Sequence, residues 1–532
     1  MTTRRFALLT TLSGLLQAAC GGGGSDSPTP APAPGTGTVP PAPPAAGPPV
    51  WSGHAGNAQH TALSAAATQP LNRIVWSTPV DLVPPYRSSG SLLIHYGSPL
   101  VTGAGTLLVP VKTTSTGNFR VEARRGSDGA LVWQLDSDYV LPASSWTPSF
   151  NLAIDANNRL YVPAAGGRLR VREQADSNAG SVRTLAFYGD AVYAASAAEL
   201  NTQVLINTPL TVDAAGNVYF GFIATPGNAA RLSSGIARVA ADGSAVWRGV
   251  FELTADTAIA KPAMNCAPAL SNDGQTVYIA VNANPVSGVV QSGYLLALDA
   301  TTLALRTRQA LREPRTGVAA RISDSSSASP TVGPDGDVYY GVLDGTRDDH
   351  NGRGWLLHFD AMLGTVKTPG SFGWDDTPSI VPAAMVPDYT GTSSYLLLVK
   401  YNNYYGAGRG DGRNQMAVLD PQGTQADAYT PAGAQVTVMK EVRVVTGPTP
   451  DPGTVGGVRE WCVNTAAVDP ATNSVLVNNE DGVLYRWHLP SNTLSEGVRM
   501  NAGVGQAYTA TVVGPDGLVY AINNAQLHAV GR

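Results

Sequence analysis

Ser329-Pro330-Thr331-Val332-Gly333-Pro334-Asp335-Gly336-Asp337-Val338-Tyr339-Tyr340-Gly341 carries the pattern that decides the fold. A small residue and a proline lead into a short apolar strand, a turn reverses the chain, and a Val-Tyr strand returns. Thr208-Pro209-Leu210-Thr211-Val212-Asp213-Ala214-Ala215-Gly216-Asn217-Val218-Tyr219-Phe220-Gly221 repeats it almost position for position. Further copies start at Ser98-Pro99, Thr147-Pro148, Ala267-Pro268, Thr377-Pro378, Asn464-Thr465 and Thr509-Ala510, which makes eight. They are about 45 to 60 residues apart, with one gap of about 90, a spacing that suits four-stranded blades with variable loops.

Within a unit a third strand follows, as in Tyr294-Leu295-Leu296-Ala297-Leu298-Asp299 or Gln415-Met416-Ala417-Val418-Leu419-Asp420. A fourth carries a tryptophan, as in the runs 126–133 and 242–247. The eighth copy stops after Leu527-His528-Ala529-Val530, which would leave an unpaired sheet edge. Asn72-Arg73-Ile74-Val75-Trp76-Ser77-Thr78-Pro79-Val80 has the character of the missing strand and precedes the first unit. The pattern therefore predicts an all-β, eight-bladed β-propeller of four-stranded blades over residues 51–532, its last blade closed by an N-terminal strand. A seven-bladed ring, with the second or seventh unit as an insertion, is the alternative.

Composition agrees. A chain of 532 residues is too long for one ordinary core unless repeated units each bury a face against a neighbour. Gly 58, Pro 39 and only 14% charged residues fit short strands joined by turns. A net charge of -5 without a Lys or Arg block gives no footprint for nucleic acid. A monomer is expected.

Arg4 and Arg5, the apolar run from Phe6 to Leu16 and Gln17-Ala18-Ala19-Cys20 read as an export signal over residues 1–20, too short to span a membrane. Ala18-Ala19-Cys20 resembles the lipobox of bacterial lipoproteins, which implies lipidation of Cys20. Gln17 departs from that family's leucine, and ordinary cleavage near Ala19 is the alternative. Residues 21–50 are rich in Gly, Pro and Ala, cannot bury a core and read as a disordered tether. The resemblance implies a chain anchored by lipid to the bacterial envelope, and Gly21 after Cys20 suits the outer membrane. Cys266 and Cys462 each stand near a repeat start, and a disulfide or two buried thiols both remain open.

Leu295 to Asp299, Asp128 to Trp133 and the stretch from Trp51 to Thr61 resemble the quinoprotein-like, or PQQ-repeat, propellers. The resemblance implies a fold and, as one functional alternative, a periplasmic oxidoreductase of alcohols or sugars using PQQ and calcium. That family's vicinal cysteines, calcium-binding Glu, Asn and Asp set and Cys-x-x-Cys-His haem motif find no match, so no cofactor is expected outside that alternative. Trp133 and Trp247 read as packing between blades.

No catalytic residue is assigned, and no zinc pattern or Gly-x-Ser-x-Gly elbow occurs. The most unusual stretch is 400–413, whose Lys400, Tyr401, Asn402, Asn403 and Tyr404 are candidates for stacking on and hydrogen-bonding a ligand. Asp376, Glu460 and Trp461 approach repeat starts and are candidate rim residues of the channel. Asp344, Asp348 and Asp349 are calcium candidates with the wrong loop spacing, for which a solvated acidic turn is the simpler reading. The leading expectation is a membrane-tethered envelope propeller that binds or scaffolds a protein, peptide or glycan, similar in broad design to the scaffold lipoprotein of outer-membrane barrel assembly. A polymer-degrading enzyme using Asp375-Asp376 is a third reading.

Overall fold

The computed structural model describes residues 47–532 apart from 89, 91, 93, 95, 116, 143–149, 346–352, 405–409, 431–434, 462 and 504–509. Ala46–Arg532 pack as one compact unit. Cys20 and the tether lie outside the described residues, apart from 47–50 at the end of the tether. Eight antiparallel sheets follow one another along the chain and form the blades of a ring. Their short inner strands are Leu100–Val101, Ala153–Ile154, Thr211–Val212, Ala269–Leu270, Thr331–Val332, Ser379–Pro382, Ala467–Asp469 and Val512–Val513, here blades 1 to 8.

The N-terminal strand Arg73–Pro79 pairs antiparallel with Gln526–Gly531 and completes blade 8. Trp76 then donates from Nε1 to the carbonyl of Gly126 in blade 1 at 2.7 Å, so the ring is closed by strand and side chain together. This settles the blade number at eight. Blade 5 has three regular strands, and residues 366–370 take the fourth place through bridges from Val366 to Phe359 and from Gly370 to Leu356.

The Val-Tyr strand explains why the repeat is so recognisable. Alternate residues of a strand face opposite sides, and both sides are buried against neighbouring blades. In blade 3, Val218, Phe220 and Phe222 join the core shared with blade 2, while Tyr219 joins the core shared with blade 4. Three of these tyrosines bury their rings and spend their hydroxyls on the next blade. Tyr161 donates to Gly216 O at 3.1 Å, Tyr219 to Ala300 O at 3.0 Å and Tyr278 to Ala361 O at 2.6 Å. Trp133 does the same with Ala175 O at 2.8 Å, beneath the Arg172 guanidinium, and Trp247 packs edge-on against Phe222.

The phrase starts form a second ring of bonds nearer the axis. Thr211 Oγ1 donates to Pro268 O at 2.6 Å, Thr331 Oγ1 to Pro378 O at 2.9 Å and Ser379 Oγ to Ala466 O at 2.6 Å, each reaching the following blade. A small hydroxyl at this place ties two blades.

One feature has no counterpart in the expected architecture. The segment 51–64 winds around the axis and bonds the inner strands one after another. Trp51 exchanges main-chain bonds with Val101, Ser52 O accepts from Ile154, Ala58 O from Leu270, Gln59 O from Val332, Thr61 O from Ile380 and Ala62 O from Val468. All these contacts fall on the second residue of an inner strand, past the residues that lead into it, so the segment crosses the channel on that side. The tight curve places Ala55, His60 and Ala62 at positive φ, a backbone state that costs free energy outside glycine.

Candidate functional site at the channel mouth

The other end of the channel is built by the residues that lead into the inner strands. Three residues before each inner strand stand Gly97, Phe150, Thr208, Cys266, Ala328, Asp376 and Asn464 in blades 1 to 7. Blades 1 to 5 therefore carry small, apolar or weakly polar groups there, and blades 6 and 7 carry a carboxyl and an amide.

Asp375 sits at a φ of 52° beside Asp376 and accepts the main-chain N–H and the hydroxyl of Ser327, both at 2.6 Å. Asn464 Nδ2 donates to Ser327 Oγ at 2.5 Å, and its main-chain carbonyl accepts the N–H of Thr377 at 3.1 Å. Lys400 Nζ lies 3.7 Å from Asp375 Oδ2, with both side chains buried. Burial pushes the Asp376 carboxyl up to about 8, against the pull of the Lys400 charge and main-chain N–H, and Asp375 pushes the same way as burial. The site thus sets the Lys400–Asp375 contact beside a carboxyl that burial disposes to keep its proton. Asp376 Oδ2 and Asn464 Oδ1 are buried without a hydrogen-bond partner among the described residues. A buried oxygen left open costs roughly 1–3 kcal/mol, so its retention calls for a water, ion or ligand.

Two histidines of the crossing segment reach toward this site from below. His54 Nε2 is 3.5 Å from Thr377 Oγ1, His60 Nδ1 donates to Pro330 O at 2.6 Å, and the rings meet edge to face at 5.1 Å. Burial holds both below the ordinary 6.5, His60 at about 4, so both are neutral.

Several sequence candidates are placed differently from expectation. Lys400 and Tyr401 belong to the strand Tyr395–Tyr401, not to a loop, and alternation sends them to opposite faces. Lys400 reaches the mouth, whereas Tyr401 is buried against Phe372 at 4.1 Å between ring centroids, beside Tyr429 and the buried Arg353–Asp427 pair. Trp461 is also fully buried and packs on Tyr485. Neither aromatic offers a face to a ligand. Asn402 bridges its neighbours instead, donating to Trp461 O at 3.0 Å and reaching Glu460 Oε2 at 3.4 Å. Asn403 donates to Asp411 within its own loop, and Tyr404 is half-buried there. Asp344 is fully buried, so it is not part of a solvated turn, and Asp348 and Asp349 lie outside the described residues. Cys266 is a free, buried thiol pushed up to about 12 by burial and in contact with Tyr340, while Cys462 lies outside the described residues. The sequence marks Asn464 only as a repeat start and Ser327 only as part of a polar turn, neither as a site residue. Aligning the repeats from the first inner-strand residue would have found Asn464, since it breaks the run of small and apolar residues at that place.

The residues present do not fit a calcium-bound quinone. Such an ion takes six or more oxygens, and here a buried lysine stands beside the carboxylate it would need. No group of three or more His, Cys, Asp and Glu side chains among the described residues has metal-binding geometry. Asp375, which an acid–base pair would require free, is engaged by Ser327 and Lys400.

Fold and mouth define an eight-bladed β-propeller whose channel is crossed on one side by residues 51–64 and lined on the other by polar groups. No family model and no curated protein matches the chain. Among solved structures it is similar to a europium-containing methanol dehydrogenase, at 12% identity over 89% of each chain and a TM-score of 0.52. It is also similar to the quinohemoprotein alcohol dehydrogenase ADHIIG from Pseudomonas putida HK5, at 12% identity over 91% of this chain and 76% of that one with a TM-score of 0.50. The Dos1 propeller matches at 10% identity over 87% and 97%, again with 0.50. At these identities the likeness is one of fold alone.

Proposed function

We propose that this chain is a binding propeller of the bacterial envelope, tethered to the outer membrane through Cys20, that takes a polar, uncharged partner group at the channel mouth. The observation that supports it is the pair of open oxygens on Asp376 and Asn464, in a wall where the small groups of blades 1 to 5 leave little to satisfy. The Lys400–Asp375 contact and a carboxyl disposed to keep its proton favour hydroxyl and amide groups of a peptide or glycan over a free ion. The test is calorimetric titration of the full-length protein with panels of neutral oligosaccharides and uncharged short peptides. A probe that binds the wild type should weaken by about tenfold in Asp376→Asn and in Asn464→Ala, the loss expected when one buried hydrogen bond is removed. Binding unchanged in both variants would remove the mouth from the account. Anchoring is checked separately, since Cys20→Ala should move the protein out of the membrane fraction.

A further inference from the structure

Blade 4 contains a second buried cluster whose chemistry the binding reading does not use. Lys261 of the strand Ile259–Pro262 lies directly opposite Asn282 of the strand Thr276–Ala283. Lys261 Nζ is 3.0 Å from Asn282 Oδ1 and 2.6 Å from Asp324 Oδ1. Asn282 Nδ2 in turn donates to the same Asp324 oxygen at 3.0 Å and to Ile322 O at 2.9 Å. Asn282 is fully buried, and Lys261 is nearly so. An amine, a carboxamide and one carboxylate oxygen shared between them are thus held together, with a cavity lined by Lys261 and Asp324 alongside.

We propose that Lys261 and Asn282 join in an intramolecular isopeptide bond, with Asp324 carrying the proton. Asp324 takes a proton from Lys261 Nζ, and the freed amine forms a bond to Asn282 Cγ. The proton passes from Asp324 to Nδ2, the Cγ–Nδ2 bond breaks, Asp324 takes the second proton shed by the new Nζ–Cγ amide, and ammonia leaves through the adjoining cavity carrying that proton as ammonium. Amine and primary amide become secondary amide and ammonia, with no oxidant or reductant. Each condition for the step is present. Burial lowers the cost of an uncharged lysine. A base lies within hydrogen-bond reach of both the nucleophile and the leaving group. Strand pairing fixes the reacting side chains together, which replaces a bimolecular encounter by an intramolecular one.

Blade 1 supplies the contrast within the same molecule. Lys112 is also buried and pairs with Asp81 at 3.1 Å, but its other acceptor is the carbonyl of Val83 and, among the described residues, no carboxamide is bonded to it. That pair has the base and the amine without an acyl group to attack, and it stays an ion pair.

Peptide mass spectrometry of the purified full-length protein tests the proposal. Trypsin does not cut before Pro262, so residues 249–306 form one fragment that contains both reacting residues. The expected fragment is lighter by one ammonia, and chain breaks between 261 and 282 release no separate pieces. The full mass should return in Lys261→Arg and in Asp324→Asn, a pair of variants that keeps the cluster polar. A wild-type fragment of full mass would overturn the proposal. So would an ammonia loss that persists in Lys261→Arg, because Asn282 would then have closed on its own backbone.

Discussion

The two ends of the channel are made from the same chain and solve different problems. At the crossed end, residues 51–64 satisfy the inner strands with main-chain bonds, bury Trp51 completely and hold two histidines neutral. At the mouth, Asp376 and Asn464 keep oxygens open, and a buried lysine faces two carboxyls. The first end spends its main-chain groups on the ring, whereas the second presents carboxyl and amide oxygens. Trp51 Nε1 and His60 Nε2 are likewise buried without a partner among the described residues. What sets the mouth apart is therefore the kind of atom left open, acceptor oxygens of a carboxyl and an amide beside a buried lysine, and this directs recognition there.

The largest effect should come from the crossed end. Trp51→Ala removes a fully buried indole and should cost about 3–5 kcal/mol in urea unfolding, while probe binding per folded molecule stays unchanged. Loss of binding without loss of stability would reverse the assignment of the two ends. Acid comes next. His60 titrates at about 4 when folded against an ordinary 6.5, so the folded chain binds fewer protons between those values. Stability should therefore fall as pH drops from about 6.5 to about 4, by up to roughly 1.4 kcal/mol per unit for this one group. His60→Gln should flatten that limb.

The blade latches are smaller and lie at neither end. Tyr278→Phe removes one bond to Ala361 O and should cost about 1 kcal/mol, read from the unfolding midpoint at constant slope. Least of all, Cys266 should resist alkylation in the folded protein and react fully once unfolded, because burial keeps its thiol protonated. Native labelling at peptide level would show an opening of blade 4.

Blade count and closure were legible because each depends on local pattern. The Val-Tyr strand reports its two buried faces in every copy, and Ile74-Val75-Trp76 carries the same signature as the tryptophan strands. The path of 51–64 was not legible, since its bonds are main-chain ones that leave no side-chain period. Part of the site was found through Lys400 and Asp376. Tyr401 and Trp461 misled because aromatic residues mark recognition and packing alike, and strand alternation, which separates Lys400 from Tyr401, required the strand to be known to run through 401. Lys261, Asn282 and Asp324 lie far apart in sequence and meet only through strand pairing.

The carboxyl of Asp376 gives the most direct test of a mouth kept uncharged and open. Its folded value of about 8 lies above the ordinary 3.8, so the folded chain holds an extra proton between them, and the stability this provides is lost as pH rises from about 4 to about 8. Chemical unfolding of wild type and Asp376→Asn should be compared across that range. The expected result is a variant whose stability gains on the wild type steadily as pH rises, then by a constant amount above about 8. Parallel curves would mean that Asp376 is ionised throughout, and the uncharged mouth would be contradicted.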